Sequence, residues 1–225
     1  MSTNTTSVWR KKLKELEIVV VIPTYNNGKT LAAVIEEVCR YADDIIVVND
    51  GSTDDTANIL EQYPAIRTIT HPVNKGKGTA LKHGLSQAKK EGFRYAITID
   101  SDGQHFASDI PCFIEAIEKE PDTLLVGARN LASDNMPGKN TFANKFSNFW
   151  FRLETGLKLE DTQSGYRLYP LRKMNVQSCW YTAKYEFELE AIVFAAWGDV
   201  AVKNIRKRNG YPISVPSGIL PVSVC

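Results

Sequence analysis

Charge of one sign is what this sequence most plainly lacks: 27 lysines and arginines face 26 aspartates and glutamates, for a net charge of +1. So balanced a chain has no global field to hold nucleic acid, and contact with an anionic surface must be local. Cysteine is scarce, and Cys39, Cys112, Cys179 and Cys225 form no C-x-x-C pair. That argues against a zinc site or a dense disulfide framework and for reduced, buried thiols. No run approaches the roughly 20 apolar residues that span a bilayer. Residues 1–17 are polar, then charged, without the continuous apolar core of a signal peptide. The expectation is a cytoplasmic chain, with peripheral contact at the cytoplasmic face of a membrane left open. The string G-x-x-x-x-G-K-[ST] is absent, as is G-x-G-x-x-G after the first strand, which argues against a Walker-type phosphate loop and a dinucleotide-binding enzyme.

What is present is a large apolar fraction in short runs. With 225 residues, 43% of them hydrophobic, the chain can bury the core of one α/β domain. Residues 18–22, 45–48 and 95–99 are β-branched runs of the kind buried on both faces of a parallel sheet. Leu31, Val34, Ile35 and Val38 fall at helical spacing between the first two. The first half is completed by a helix to residue 62 capped by Ser52 or Thr53, a short strand over 66–70, and helices over about 79–90 and 108–119. Strands alternating with helices at short intervals specify βαβ units and a mostly parallel sheet.

The second half has a different texture. Strands are expected over 123–127, 165–169 and 199–205, a polar loop over 129–139, and a helix through Leu189, Ile192, Val193, Ala196 and Trp197. Phe142, Phe146, Phe149, Trp150, Leu153 and Leu157 make a helical stripe. It is either a core face or, beside Lys145, Arg152 and Lys158, a helix lying in a membrane interface.

The chain is organised around residues 95–105, where an apolar run ends in Asp100, Asp102 and Gln104. Along an extended backbone alternate side chains share a face. These three would then offer hard oxygen donors at the carboxyl end of a strand, where open α/β sheets bind ligands. Mg²⁺ or Mn²⁺ suits such donors, and Mg²⁺ commonly takes one or two carboxylates plus substrate phosphates. The plainer alternative is that Asp100 caps a turn and Asp102-Gly103 is turn chemistry. Loops 23–28 and 49–54 open at the same sheet edge. There Tyr25 could cover a base or ribose and Asp50 could accept a base N–H, while Lys75 and Lys77 sit among glycines that let backbone approach a phosphate. Packing of Tyr25 and solvation of the lysines are the alternatives.

The strings VVVIPTYNN, IVVNDGSTDDT, NKGKGTAL and DSDGQH, in that order, resemble the family-2 glycosyltransferases. GAR at 127–129 and DTQSGYR at 161–167 are most similar to their dolichyl-phosphate mannosyltransferase, or polyprenyl-phosphate glycosyltransferase, branch. The resemblance implies a single GT-A (Rossmann-like) α/β catalytic domain over 18–205, with a mostly parallel central sheet flanked by helices. A polar and charged extension (1–17) precedes it and an irregular tail (206–225) follows. It also implies inverting transfer of a hexose from a nucleotide sugar of the GDP-mannose or UDP-glucose type to a polyprenyl phosphate, assisted by Mg²⁺ or Mn²⁺. The alternatives are a sugar-hydroxyl acceptor in polysaccharide or glycolipid synthesis, or a non-catalytic nucleotide-sugar-binding module. By resemblance, Pro23, Tyr25, Asn26, Asp50, Lys77, Asp100 and Ser101 contact the nucleotide sugar. Asp100, Asp102 and Gln104 match the metal positions, with His105 a neighbour. Asn49 stands where many members carry an acid.

Charge dictates the expected chemistry. As the sugar leaves the diphosphate, negative charge grows on the leaving group, and a cation at Asp102 and Asp100 stabilises it where it develops. A lipid phosphate is already an anion and needs cations, not a base. Arg129 and Arg167 are the candidates, since guanidinium grips phosphate through two bonds, with surface salt bridges as the alternative. A hydroxyl acceptor needs a carboxylate base, for which Asp161, Glu186 and Glu188 are candidates, the two glutamates being as well placed to stabilise a helix start. The expected catalytic set is Asp102, Arg129, Arg167 and Asp161.

Overall fold

The computed structural model describes residues 3–128, 164–174 and 186–206. In chain order its elements are α1 (Thr3–Glu15), β1 (Ile18–Thr24), α2 (Gly28–Cys39), β2 (Ile45–Asn49), α3 (Thr56–Glu61), β3 (Arg67–Thr70) and α4 (Lys77–Lys90). There follow β4 (Tyr95–Thr98), a 3₁₀ turn (Ala107–Asp109), α5 (Ile110–Lys119), β5 (Leu124–Ala128), β6 (Arg167–Pro170), α6 (Glu186–Trp197) and β7 (Val202–Arg206). One seven-stranded sheet has the order β3-β2-β1-β4-β6-β5-β7. β1 pairs in parallel with β2 and β4, β2 with β3, and β5 with β7. Only β6 runs the other way, antiparallel to both β4 and β5. The expected mostly parallel α/β sheet is what forms.

Every residue of β1 is buried, which is why its sequence is an unbroken apolar run. Ile18, Val20 and Ile22 face one layer, with Leu13, Leu31, Leu60 and Phe113 of α1, α2, α3 and α5. Val19 and Val21 face the other, with Leu81 and Leu85 of α4 and Phe187 and Ile192 of α6. Helix α4 lies close on the sheet at Gly84, where a Cβ would come within 2.5 Å of Val21 Cγ1.

The polar extension is more than a tail. It carries α1, whose Leu13 enters the core, while Lys12 bonds Glu118 at 2.7 Å and Arg10 bonds the Cys39 carbonyl. Neither Ser52 nor Thr53 caps this helix: the N-cap position is Asp55, without a side-chain cap bond, and it is Asp54 whose Oδ1 accepts the Thr56 N–H at 3.1 Å and its hydroxyl at 2.6 Å. Cys112 is a reduced cysteine, half-buried rather than buried, but Cys39 is disulfide-bonded, contrary to the expectation of reduced thiols and not disclosed by sequence spacing. Among the described residues no helix is long and apolar enough to cross a membrane. The expected polar loop, the aromatic stripe, Arg129, Asp161 and residues 207–225 lie outside the described residues.

Candidate active site

The carboxyl ends of β1, β2 and β4, with the loop leading into α4, enclose a cleft of about 600 Å³. Pro23, Tyr25, Asp50, Lys77, Asp100, Ser101 and Asp102, all named from sequence, line it together. Tyr25 stands at the rim, 44% exposed. Asn27 Nδ2 donates to Ser101 Oγ at 2.7 Å and Thr30 Oγ1 to the Ser101 carbonyl at 2.6 Å, so the first loop is tied to the acidic one.

The extended alternation does not persist through the acidic residues. β4 stops at Thr98 and the chain turns at Gly103, whose φ of +78° suits glycine. Asp102 Oδ1 accepts the Gln104 N–H at 2.9 Å. The stretch is a turn, and its two carboxylates nevertheless line one cleft. The turn breaks the two-residue period, and this leaves Gln104 exposed and off the cleft wall rather than beside the aspartates.

At this end of the cleft Lys77 Nζ lies 2.8 Å from Asp100 Oδ1, 2.9 Å from Oδ2 and 3.1 Å from Glu188 Oε1. Burial pulls the Lys77 pKa down, but Asp100 and Glu188 outweigh it and hold the ammonium above the usual lysine range. Burial raises the Glu188 pKa against the opposing charges of Lys77 and Arg167. The surrounding protein likewise raises that of Asp102 although its outer side meets solvent, and the Asp100 charge adds to the effect. Gly165 closes this corner: a Cβ there would come within 2.5 Å of Asp100 Oδ2, 2.8 Å of Glu188 Oε1 and 2.8 Å of Lys77 Nζ. Arg167 is wholly buried; Nε donates to the Ser164 carbonyl at 2.7 Å and Nη1 to the Glu188 carbonyl. It holds β6 to α6 and offers no surface to an acceptor phosphate, contrary to the sequence expectation.

The other end is built around Asp50, which is 2% exposed. Oδ1 accepts the Lys75 N–H at 3.0 Å and meets His71 Nδ1 at 2.6 Å, and Oδ2 accepts the Gly76 N–H at 2.8 Å. His71 Nε2 lies 2.7 Å from His83 Nδ1. Asp50 thus braces the loop before α4 instead of standing open for a base N–H. Sequence reasoning missed His71, whose single clue was its place just after a strand. Asn26 also departs from expectation. At φ +52° it accepts the Thr53 N–H at 2.8 Å, joining two loops, and it lines an adjoining groove with Lys29 and Asp54 rather than the main cleft. Asn49 Oδ1 accepts the Ser52 N–H at 3.0 Å, ordering the second loop.

Among the described residues no three His, Cys, Asp or Glu side chains stand together as a complete metal-ligand set. Asp100 and Asp102 on one wall nevertheless fit an Mg²⁺ or Mn²⁺ ion that draws its other ligands from substrate phosphate and water. The corner left bare by Gly165 keeps side-chain bulk away from Asp100.

A cleft at the carboxyl edge of such a sheet, lined by Asp100, Asp102 and Lys77, agrees with the GT-A glycosyltransferase fold that the sequence motifs imply. Solved structures of this class superpose on the chain. Glucosyl-3-phosphoglycerate synthase from Mycobacterium tuberculosis with UDP gives a TM-score of 0.67 at 21% identity, over 94% of this chain and 77% of that one. The same enzyme with Mn²⁺, UDP and glucosyl-3-phosphoglycerate gives 0.66, over 91% and 76%. The family model for glycosyl transferase family 2 matches residues 19–177, and the chain belongs to that family. Its relatives include the UDP-N-acetylglucosamine–dolichyl-phosphate N-acetylglucosaminyltransferase of Methanococcus voltae, 31% identical over 84% of this chain and 85% of that protein. The polyprenol monophosphomannose synthase of Mycolicibacterium smegmatis is 28% identical over 67% and 60%, and the human dolichyl-phosphate beta-glucosyltransferase 24% over 88% and 68%.

Proposed function

We propose that this chain is an inverting, metal-assisted glycosyltransferase that moves a hexose or related sugar from a nucleotide diphosphate sugar to a polyprenyl phosphate. The observation that carries the reading is the placement of Asp100, Asp102 and Lys77 on one wall of a cleft at the sheet's carboxyl edge. A divalent ion bound at the two aspartates supplies Lewis-acid stabilisation of the leaving diphosphate. Lys77 lies against the same wall and offers the departing phosphate a charge-assisted hydrogen bond. Tyr25 at the rim covers the nucleoside, and Pro23 and Ser101 shape the pocket beneath it. A phosphate acceptor arrives as an anion and needs no general base. Arg129 is the cation proposed to meet it, while Arg167 keeps α6, and so Glu188, in place. The names of the relatives support the lipid-phosphate acceptor, which sets the enzyme to work at a membrane surface.

The test is a donor screen. Nucleotide release is measured from a panel of UDP- and GDP-sugars with Mn²⁺, with and without polyprenyl phosphate. Release that rises with the lipid and vanishes in Asp102→Ala supports the reading. Release stimulated only by a glycan hydroxyl replaces the acceptor, and binding without release from any donor replaces the enzyme with a binding module.

A further inference from the structure

We propose that His71 is a positioning residue of the donor cleft: through Asp50 it sets the loop that starts α4, and with it the place of Lys77. The proposal rests on the donor reading above. His71 follows β3, is buried, and is pinned by its N–H to the Asn49 carbonyl at 2.9 Å. The carboxylate 2.6 Å from Nδ1 requires that this nitrogen carry the proton. In the neutral ring Nε2 is then the acceptor, so His83 Nδ1 donates across the 2.7 Å contact. The result is a chain of fixed polarity, from His83 at the surface of α4 through His71 to Asp50.

What the chain holds is a cleft wall. Asp50 spends one oxygen on the Lys75 N–H and the other on the Gly76 N–H, and Gly76 caps α4 at φ +92°, immediately before Lys77. Asp50, Asn74, Gly76 and Lys77 all line the cleft. Backbone contact stiffens the same corner: at Gly51, φ +70°, a Cβ would fall 2.4 Å from the Val73 carbonyl carbon. Without the imidazole, Asp50 keeps its two backbone donors but loses the partner that fixes its rotation. The loop then drifts, and the backbone and side chains with which it lines the cleft lose their place.

Asparagine places an amide N–H near the position of Nδ1, whereas glutamine reaches toward that of Nε2, so the two separate the Asp50 link from the His83 link. Binding of UDP and of GDP in the presence of Mn²⁺ is measured by calorimetry for wild type, His71→Asn, His71→Gln and His71→Leu, with thermal midpoints recorded for each. His71→Gln and His71→Leu should weaken nucleotide binding about tenfold, and His71→Asn should stay within about twofold of wild type. In donor hydrolysis KM should follow the same order, with kcat moving by less than about threefold. If His71→Leu does not fold, the contrast between Asn and Gln decides. Equal weakening by Asn and Gln, or loss of thermal stability with nucleotide affinity untouched, overturns the positioning role alone. A wild-type protein that binds neither nucleotide overturns this role and the donor reading together.

Discussion

The cleft has a carboxylate at each end, and the two are satisfied in opposite ways. Asp50, 2% exposed, is held by two backbone N–H groups and an imidazole that is itself held. Asp100, with a side chain 20% exposed, is held by an ammonium on a flexible stem, which also leans on Glu188, with His105 Nε2 farther off at 3.9 Å. Backbone donors are fixed and cannot leave, so the Asp50 end is scaffold. A lysine head can swing away when another cation and a phosphate arrive, so the Asp100 end is where the proposed donor and ion would be taken up and released. The difference lies less in the carboxylates than in the mobility of their partners.

The contrast between the two ends makes graded predictions. The largest effect should come from Asp102→Ala, which removes a proposed ion ligand without touching the core: donor turnover should fall by about a hundredfold or more, with the thermal midpoint nearly unchanged. An equal loss from a substitution at the Asp50 end, at unchanged stability, would break the division into scaffold and exchange ends. Stability should separate the two ends in the opposite sense. Asp50→Asn replaces one buried acceptor by a donor facing backbone N–H groups and should cost about 1–3 kcal/mol by urea denaturation. Asp100→Asn, partly solvated, should cost less than about 1 kcal/mol. A glycine pair sharpens the contrast at smaller amplitude. Gly84→Ala drives a methyl into Val21 and Val48, and should cost about 1–3 kcal/mol with nucleotide affinity intact. Gly165→Ala meets movable charged groups, so it should weaken nucleotide binding while costing less stability than Gly84→Ala.

Much of this arrangement was legible in the residues, for physical reasons that differ by element. β1, β2 and β4 announce themselves because strands buried on both faces must be apolar throughout, and the loops after them then share an edge. The reversed direction of β6 was not legible, because RLYP is equally apolar whichever way it pairs. α1 was missed because its stretch is mostly polar and charged, and Leu13 alone reaches deep into the core. Within the site, the residues named at strand ends do meet in the cleft. The errors came where local hydrogen bonding redirected a side chain: the Gln104 N–H capturing Asp102 in a turn, Asn26 bonding Thr53, Arg167 turning to carbonyls. His71 and Gly165 act through what lies next to them in space, and that is invisible along the chain.

A third carboxylate, on the opposite layer, tests whether backbone donors always win. Glu37 of α2 accepts N–H bonds from Ser108 and Ala107 at the turn into α5, much as Asp50 does from Lys75 and Gly76, yet partial burial outweighs them and raises its pKa above the ordinary 4.5. The folded state therefore holds this proton more tightly than the unfolded chain. From 4.5 up to the raised value the folded state carries more protons, so stability falls as pH rises through that window and levels off above it. Glu37→Gln keeps an acceptor for the two N–H groups but cannot ionise, and should flatten that fall. Urea midpoints from about pH 4 to about pH 7 should show the variant gaining on wild type as pH rises, by at most about 1.4 kcal/mol for each pH unit that separates the folded and unfolded pKa of Glu37. A gap that instead widens in favour of wild type would mean that the backbone donors prevail, and Glu37 would then belong with Asp50 as a carboxylate fixed in its charged form.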